Sequence, residues 1–158
     1  MADIQVFPSC VALLADLVRS REGDRRESHA IVLDAIEETN ANVPQLDALR
    51  VTIGDELQGV YATLGDALAA SFRLRGLLWG AVDIRFGLGG GDVRVVDEAR
   101  GIQDGSAWVR AREAIDAVEA KSREPGFSGL RTGIHDGRDV ASPLAEPLAH
   151  LVDVHIAR

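Results

Sequence analysis

The sequence predicts an α+β fold built around a mostly antiparallel sheet, and three observations predict it. Apolar runs of strand length and amphipathic segments of helix length follow one another in the order strand, helix, strand, strand, helix, strand. Gly54 and Asp55 lie between two consecutive strand-like segments, and Gly-X at such a place is a signal for a two-residue hairpin turn. Aromatic residues make up 4% of the 158 residues, so the core is expected to be aliphatic.

The first strand is predicted over residues 11–18, the apolar run VALLADLV. Because polar and apolar side chains do not alternate along it, this strand is expected to be buried on both faces. Asp16 is the one charged residue in the run. A helix is predicted over residues 24–38, because Asp24 and Glu27 have the spacing of a capping box.

The hairpin is predicted from residues 50–53, in which polar and apolar side chains alternate, and from residues 57–61. A second helix is predicted over residues 62–79, and its apolar side chains lie four positions apart: Leu64, Leu68 and Phe72. The fourth strand of the predicted sheet follows over residues 81–88.

A glycine-dense segment, residues 87–91, is predicted to form a turn after the fourth strand. The alternative for such a segment is a phosphate-binding loop, but no Lys-Ser/Thr pair follows it. An extra strand is expected over residues 92–96. A third helix is expected over residues 104–121, with Trp108 on its apolar stripe.

The last part of the chain adds a predicted edge strand over residues 130–134 and a short terminal helix over residues 143–156. We expect a single domain over residues 1–158, with a core at 10–122 and a C-terminal extension at 123–158. The order of elements is that of a ferredoxin-like βαββαβ arrangement, with helices on one face of the sheet.

The charge and the single cysteine restrict the partners and the compartment. The formal net charge is −8, which excludes nonspecific nucleic-acid binding by this chain alone, because such binding needs an excess of Lys and Arg. No apolar run reaches the ~20 residues that span a bilayer. Cys10 lies in an apolar run and is expected to be buried and inert. A cytoplasmic protein without membrane contact is therefore predicted.

Two carboxylates form the candidate site. Asp16 lies near the end of the first strand and Asp55 lies in the hairpin turn, and the topology makes them neighbours. Like charges repel and burial adds to the cost, so a bound divalent cation would relieve the pair. With the backbone carbonyl of Leu17 as a further oxygen, this donor set suits Mg²⁺. The alternative is structural, because Asp is common in hairpin turns and as a cap after strands.

Four segments of the chain resemble the SatD family of bacterial proteins: residues 12–21 (ALLADLVRSR), 51–59 (VTIGDELQG), 84–89 (IRFGLG) and 105–115 (GSAWVRAREAI). More remotely, the same segments are similar to class III nucleotidyl cyclases and GGDEF-type domains. This resemblance implies a ferredoxin-like palm fold, an α/β sandwich that binds metal ions, Mg²⁺ or Mn²⁺, on Asp16 and Asp55.

The resemblance also implies roles for other residues. Arg112, on the third helix, matches a catalytic arginine that contacts phosphates. Ser20 matches a serine in the turn after the first metal-binding acid. Gly54 and Arg85 lie in matching segments and are expected to contact the bound cofactor.

Three positions depart from the cyclase pattern. Trp108 stands where cyclases have an asparagine, Val51 where adenylyl cyclases have a base-reading lysine, and Gly101 where they have the acidic partner of that lysine. The metal-binding pair is present and the base-reading pair is not. The sequence therefore leaves open whether the chain is an enzyme.

Two functions are predicted. The first is a divalent-cation-dependent nucleotide-binding palm domain that binds a nucleotide or another phosphorylated small molecule, either as a sensor or in phosphoryl transfer. The second is a noncatalytic regulatory or oligomerisation module, normally attached to a C-terminal helix-turn-helix-like segment. The resemblance to cyclases, which act as dimers, also implies a homodimer.

Overall fold

The computed structural model describes residues 4–18 and 25–157. These residues form six strands and four helices. The strands are β1 (Val6–Val18), β2 (Asp47–Val51), β3 (Glu56–Tyr61), β4 (Asp83–Asp97), β5 (Ile102–Asp104) and β6 (Thr132–Asp136). The helices are α1 (Arg25–Asn42), α2 (Leu64–Leu77), α3 (Ser106–Ser122) and α4 (Ala145–Ala157).

The strands form one sheet in the order β2-β3-β1-β4-β5, with β6 pairing to β4. The β1–β3, β1–β4, β2–β3 and β4–β5 pairs are antiparallel, and the β4–β6 pair is parallel. The first four strands with α1 and α2 give the ferredoxin-like βαββαβ order, with β1 at the centre. The predicted α+β fold is confirmed.

The two faces of β1 contact different helices. Val11, Leu13 and Ala15 belong to a core cluster that includes residues of α1 and α2. Ala12 and Leu14 belong to a second cluster with residues of α3. Helices α1 and α2 of the βαββαβ unit therefore share one face of the sheet, as predicted, and the added helix α3 covers the other face. The sequence prediction of β1 as a strand buried on both faces is confirmed.

Strand β4 runs without interruption through the glycine-dense segment, so the turn predicted at residues 87–91 was wrong. These glycines let α3 approach the sheet. A Cβ added to Gly89 would meet the backbone of Ala107 and Ala111, and one added to Gly87 would lie 2.7 Å from the Ile115 Cβ. Side chains here would push α3 away from the sheet, because packed interiors leave no spare volume.

The remaining predicted elements are present with shifted bounds. Helix α2 begins at Leu64, where the Thr63 hydroxyl accepts a 3.0 Å hydrogen bond from the Asp66 N–H. Asp24, the predicted cap of α1, lies outside the described residues. Cys10 is fully buried, and burial raises the pKa of its thiol to about 11, so it is an inert thiol as predicted.

A buried carboxylate joins α4 to the rest of the fold. Asp153 is 0% exposed and accepts hydrogen bonds from the Arg75 guanidinium at 2.5 Å and from the Thr132 hydroxyl at 3.0 Å. It also accepts from the backbone N–H groups of Arg131 at 2.9 Å and Thr132 at 2.8 Å. Four donors compensate the burial of this charge. In the described part of the chain, no helix is both long and apolar enough to cross a bilayer.

Candidate functional site

A row of three charged residues crosses the centre of the sheet on the face that α3 covers. The strand register sets Asp16 opposite Glu56 of β3 on one side and opposite Arg85 of β4 on the other. Directly opposite residues on one face of an antiparallel pair have Cβ atoms about 4.5–5.5 Å apart. The register therefore brings two acids and one base together.

Helix α3 adds two charged side chains above this row. Arg112 donates from Nη2 to both carboxylate oxygens of Glu56, at 3.1 and 3.0 Å. Glu119 lies seven residues further along α3, on the same side of the helix, with its Oε2 3.8 Å from the Arg85 Nη1. We call Asp16, Glu56, Arg85, Arg112 and Glu119 the Asp16 cluster.

The Asp16 carboxylate is poorly compensated within this cluster. Its one hydrogen bond to a described residue comes from the Arg85 Nη1 at 3.5 Å, a distance at which the bond is weak. Burial raises the pKa of Asp16, Arg85 lowers it, and Glu119 and Glu56 raise it further. The net effect is a raised pKa, which means that the ionised carboxylate is destabilised relative to one in water.

Arg85 is itself only partly satisfied. Its side chain is 12% exposed, and its Nε is buried without a hydrogen-bond partner among the described residues. The guanidinium lies between two carboxylates, those of Asp16 and Glu119, and neither contact is short. An incoming oxygen-rich group would find a buried donor here.

The hairpin turn is present as predicted. The Glu56 N–H donates to the Ile53 carbonyl at 3.4 Å, and Gly54 has φ +68°, a conformation that favours glycine. Asp55 is exposed and lies immediately before Glu56, the residue opposite Asp16. The turn is therefore close to Asp16 across the sheet, although far from it along the chain, and the direct neighbour of Asp16 is Glu56.

Oxygen donors at this end of the sheet suit a hard divalent cation. Mg²⁺ uses one or two carboxylates and keeps several waters, so Asp16 and Asp55 would be enough protein carboxylates. Within residues 4–18 and 25–157, no cluster of three or more His, Cys, Asp or Glu side chains has a metal-binding arrangement. The chemistry of the donors fits such an ion, and their role as ligands stays a prediction.

Only some of the other predicted site residues belong to the Asp16 cluster. Arg85 and Arg112 are in it. Leu17 pairs with Ile84 and packs against the core under α1 and α2, and the use of its carbonyl stays a prediction. Gly54 forms the turn, and its contact with a cofactor stays a prediction. Ser20 lies outside the described residues.

Two members of the Asp16 cluster were not predicted from the sequence. The position of Glu56 opposite Asp16 depends on strand register, which the sequence alone does not show. Glu119 was not singled out at all. The seven-residue spacing from Arg112 to Glu119 is the signal that could have found it, since both then lie on one side of α3.

Comparison with known proteins supports the fold. No family model and no curated protein matches the chain. Several solved structures match it. The monomeric guanylyl cyclase domain of the RhoGC fusion protein from the aquatic fungus Blastocladiella emersonii is 16% identical, with a TM-score of 0.55, over 72% of this chain and 77% of that chain. The chain has a cyclase-like palm fold.

A second similar structure is the catalytic core of a rhodopsin-guanylyl cyclase with converted specificity, in complex with ATPαS. It is 17% identical, with a TM-score of 0.53, over 73% of this chain and 76% of that chain. At 16% and 17% identity, the similarity shows the palm fold alone. Membership of the SatD family stays a prediction.

Val51 and Gly101, two of the positions at which the sequence departs from the cyclase pattern, are close together in this palm. Arg50, next to Val51, donates from Nη2 to the Gly101 carbonyl at 3.5 Å. Trp108, the third such position, donates from Nε1 to the Gln103 Oε1 at 3.3 Å and packs partly into the core.

Proposed function

We propose that this chain is a divalent-cation-dependent nucleotide-binding palm domain whose phosphate-contacting end is the Asp16 cluster. The observation that carries the proposal is the under-compensated Asp16 carboxylate beside two more acids and two arginines on one surface. Structural carboxylates are normally paired or fully hydrogen-bonded. A carboxylate with a single weak hydrogen bond from the described residues, on a cyclase-like palm fold, supports a ligand site.

Each charged group has a part in this proposal. Asp16 and Asp55 would hold the cation, Mg²⁺ or Mn²⁺, which would neutralise their charge and polarise phosphate oxygens. Arg112 and Arg85 are the donors suited to phosphate. Both are now engaged with carboxylates, so nucleotide binding would exchange Glu56 and Asp16 for phosphate oxygens.

The base and the reaction are less constrained. Val51, Gly101 and Trp108 lack the side chains with which cyclases read a purine and stabilise the transition state. We therefore propose binding of a nucleotide or related phosphorylated molecule, in a sensory role or in a phosphoryl transfer other than cyclisation.

Isothermal titration tests this proposal. ATP and GTP are titrated into the chain with Mg²⁺, with Mn²⁺ and with EDTA. We expect heat of binding only with a divalent cation, and at least a tenfold loss of affinity in Asp16→Asn. The matched control is Asp34→Asn, which removes the same charge from an exposed position on α1. No heat with any nucleotide, or equal affinity in both variants, would refute the proposal.

One observation favours the second function, a noncatalytic oligomerisation module. Three apolar side chains are largely exposed: Leu144, immediately before α4, and Leu148 and Leu151 within it. Exposed apolar patches of this kind mark interaction surfaces. Light scattering after size-exclusion chromatography would test it. A dimer that becomes a monomer in Leu148→Ser/Leu151→Ser, without any nucleotide heat, would favour this function over the first.

A further inference from the structure

A second concave site lies away from the Asp16 cluster. A cleft of about 530 Å³ opens beside the C-terminal end of α2, the start of β4 and the segment before β6. Cavities of about 300–1,000 Å³ are the usual size of small-molecule sites. None of the five residues of the Asp16 cluster lines the cleft, so the nucleotide proposal does not account for it.

One wall of the cleft carries a buried guanidinium with spare donors. The side chain of Arg75 is 7% exposed and is fixed by Asp153 through a single hydrogen bond from Nη1. A guanidinium has five N–H donors, and the described part of the chain supplies no other acceptor to Arg75. Unpaired donors are costly in a dry interior, so the remaining N–H groups are expected to face the cleft.

The charges around Arg75 are balanced between two arginines and two acids, so a further acceptor would be drawn by unused donors and not by net charge. Burial lowers the pKa of Arg75, Asp153 raises it, Arg131 lowers it and Asp83 raises it. Asp153 is enclosed by its four donors. Arg131 holds Asp83 through Nε and Nη2, at 2.9 and 2.7 Å. The hydrogen-bonding capacity left in the cleft is therefore mainly that of Arg75 donors.

The cleft also offers an aromatic surface. Trp79 lines the cleft and is 61% exposed, although tryptophan is usually well buried. Indole is a large flat surface on which planar rings and cations stack. Gly80 and Gly129 complete the cleft next to it, and neither has a side chain that would cover the ring.

From these observations we infer that the cleft binds a small aromatic anion, whose ring stacks on Trp79 and whose carboxylate or phosphate accepts hydrogen bonds from Arg75. The two required features, a flat apolar surface and a buried donor, line the same cleft. The ion pair with Asp153 uses one hydrogen bond from Arg75 and leaves the other N–H groups of the guanidinium for a ligand.

Nuclear magnetic resonance tests the inference directly. The chain has two tryptophans, so two indole N–H signals are expected, and Trp79→Phe assigns them. Four probes are titrated in EDTA into Asp16→Asn, so that the proposed cation site does not contribute: adenosine monophosphate, benzoate, adenosine and inorganic phosphate. We expect adenosine monophosphate or benzoate to shift the Trp79 signal saturably while the Trp108 signal stays in place.

The ring and the charge are tested separately. Adenosine has the ring without the anion and phosphate has the anion without the ring, and each is expected to bind at least tenfold more weakly. A response to benzoate alone identifies a carboxylate ligand, and a response to adenosine monophosphate alone identifies a phosphate ligand. Saturable binding of adenosine equal to that of adenosine monophosphate, or no shift with any probe at 10-fold the protein concentration and above, would overturn the inference.

Substitutions complete the test without disturbing the buried ion pair. Trp79→Ala changes an exposed residue, and binding, followed by the amide signals of Gly80 and Gly129, is expected to weaken at least tenfold. Leu77→Ala is the matched control, because Leu77 is exposed two residues before Trp79 and does not line the cleft. Equal affinity in Trp79→Ala and Leu77→Ala would show that the indole ring does not contribute to binding and would overturn the inference.

Discussion

Asp16 and Asp153 are two carboxylates beside arginines, and their surroundings differ in the number of donors. Asp153 is fully buried and accepts four hydrogen bonds at 2.5–3.0 Å. Asp16 has a side chain that is 36% exposed, two other acids beside it and, within residues 4–18 and 25–157, one donor at 3.5 Å. The structural carboxylate therefore has a full set of hydrogen-bond donors, whereas the carboxylate that is only partly paired is available to a ligand.

The largest expected effect is on the structural carboxylate. Asp153→Ala leaves the buried Arg75 guanidinium without its counterion, and breaking a buried ion pair by removing one partner costs about 3–5 kcal/mol. We expect a loss of this size in the free energy of unfolding, measured by urea denaturation. A loss below about 1 kcal/mol, the range of exposed pairs, would remove the contrast between the two carboxylates.

The close approach of α3 to the sheet should give the next largest effect. In Gly89→Ala the new methyl group meets the backbone of α3, and overpacking of this kind costs about 1–3 kcal/mol. Gly76→Ala is the control, because a Cβ there has no atom within 4 Å and alanine stabilises a helix interior by roughly 0.5–1 kcal/mol relative to glycine. Denaturation curves that move in the same direction for both variants would contradict this account.

Removing the charge of Asp16 should barely change stability. The pKa of Asp16 is raised in the folded state, so protonation of Asp16 stabilises the fold at pH values below the ordinary pKa of a carboxyl group. This contribution is lost as the pH rises through the raised pKa. Asp16→Asn should therefore equal or slightly exceed the wild type at pH 7, by less than about 1 kcal/mol since the group is partly exposed. The difference should narrow as the pH falls. A clear destabilisation at pH 7 would make Asp16 a structural residue like Asp153.

The smallest effect concerns the neighbours of Asp16. Glu56 raises the pKa of Asp16 and Arg112 lowers it. We therefore expect Glu56→Gln to lower the pKa of Asp16 and Arg112→Gln to raise it, as measured by titration of the Asp16 carboxyl carbon resonance. Shifts of the same sign in both variants would mean that Glu56 and Arg112 do not act on Asp16 as this geometry requires.

The order and type of the elements could be predicted because they depend on local patterns. The alternation in β2, the four-residue spacing in α2 and the Gly54–Asp55 turn each follow from neighbouring residues. The glycine segment of β4 was misinterpreted for the opposite reason. Gly87 and Gly89 exist to admit a helix that packs from far along the sequence, and a single sequence does not reveal that contact.

The candidate site was only partly predictable, because its geometry also depends on contacts between distant parts of the sequence. Asp16 was found as the one charged residue of a buried strand whose end lies near the hairpin, and Arg112 through the resemblance of its segment to known families. The pairing of Asp16 with Glu56 rather than Asp55 depends on a shift of one residue in strand register, which exchanges one face of the sheet for the other. The contribution of Glu119 depends on how α3 is seated on the sheet, and this seating is set by the glycines of β4.

The four hydrogen bonds of Asp153 have a consequence for how this palm can be shortened or joined to other proteins. A fragment that ends before α4 would keep the whole βαββαβ core and still contain Arg75, now without the carboxylate that accepts its hydrogen bond. Such a fragment is expected to require a compensating substitution, for example Arg75→Met, before it folds alone. The final helix is thus part of the smallest self-sufficient unit, and a fusion partner is better attached after it than in its place.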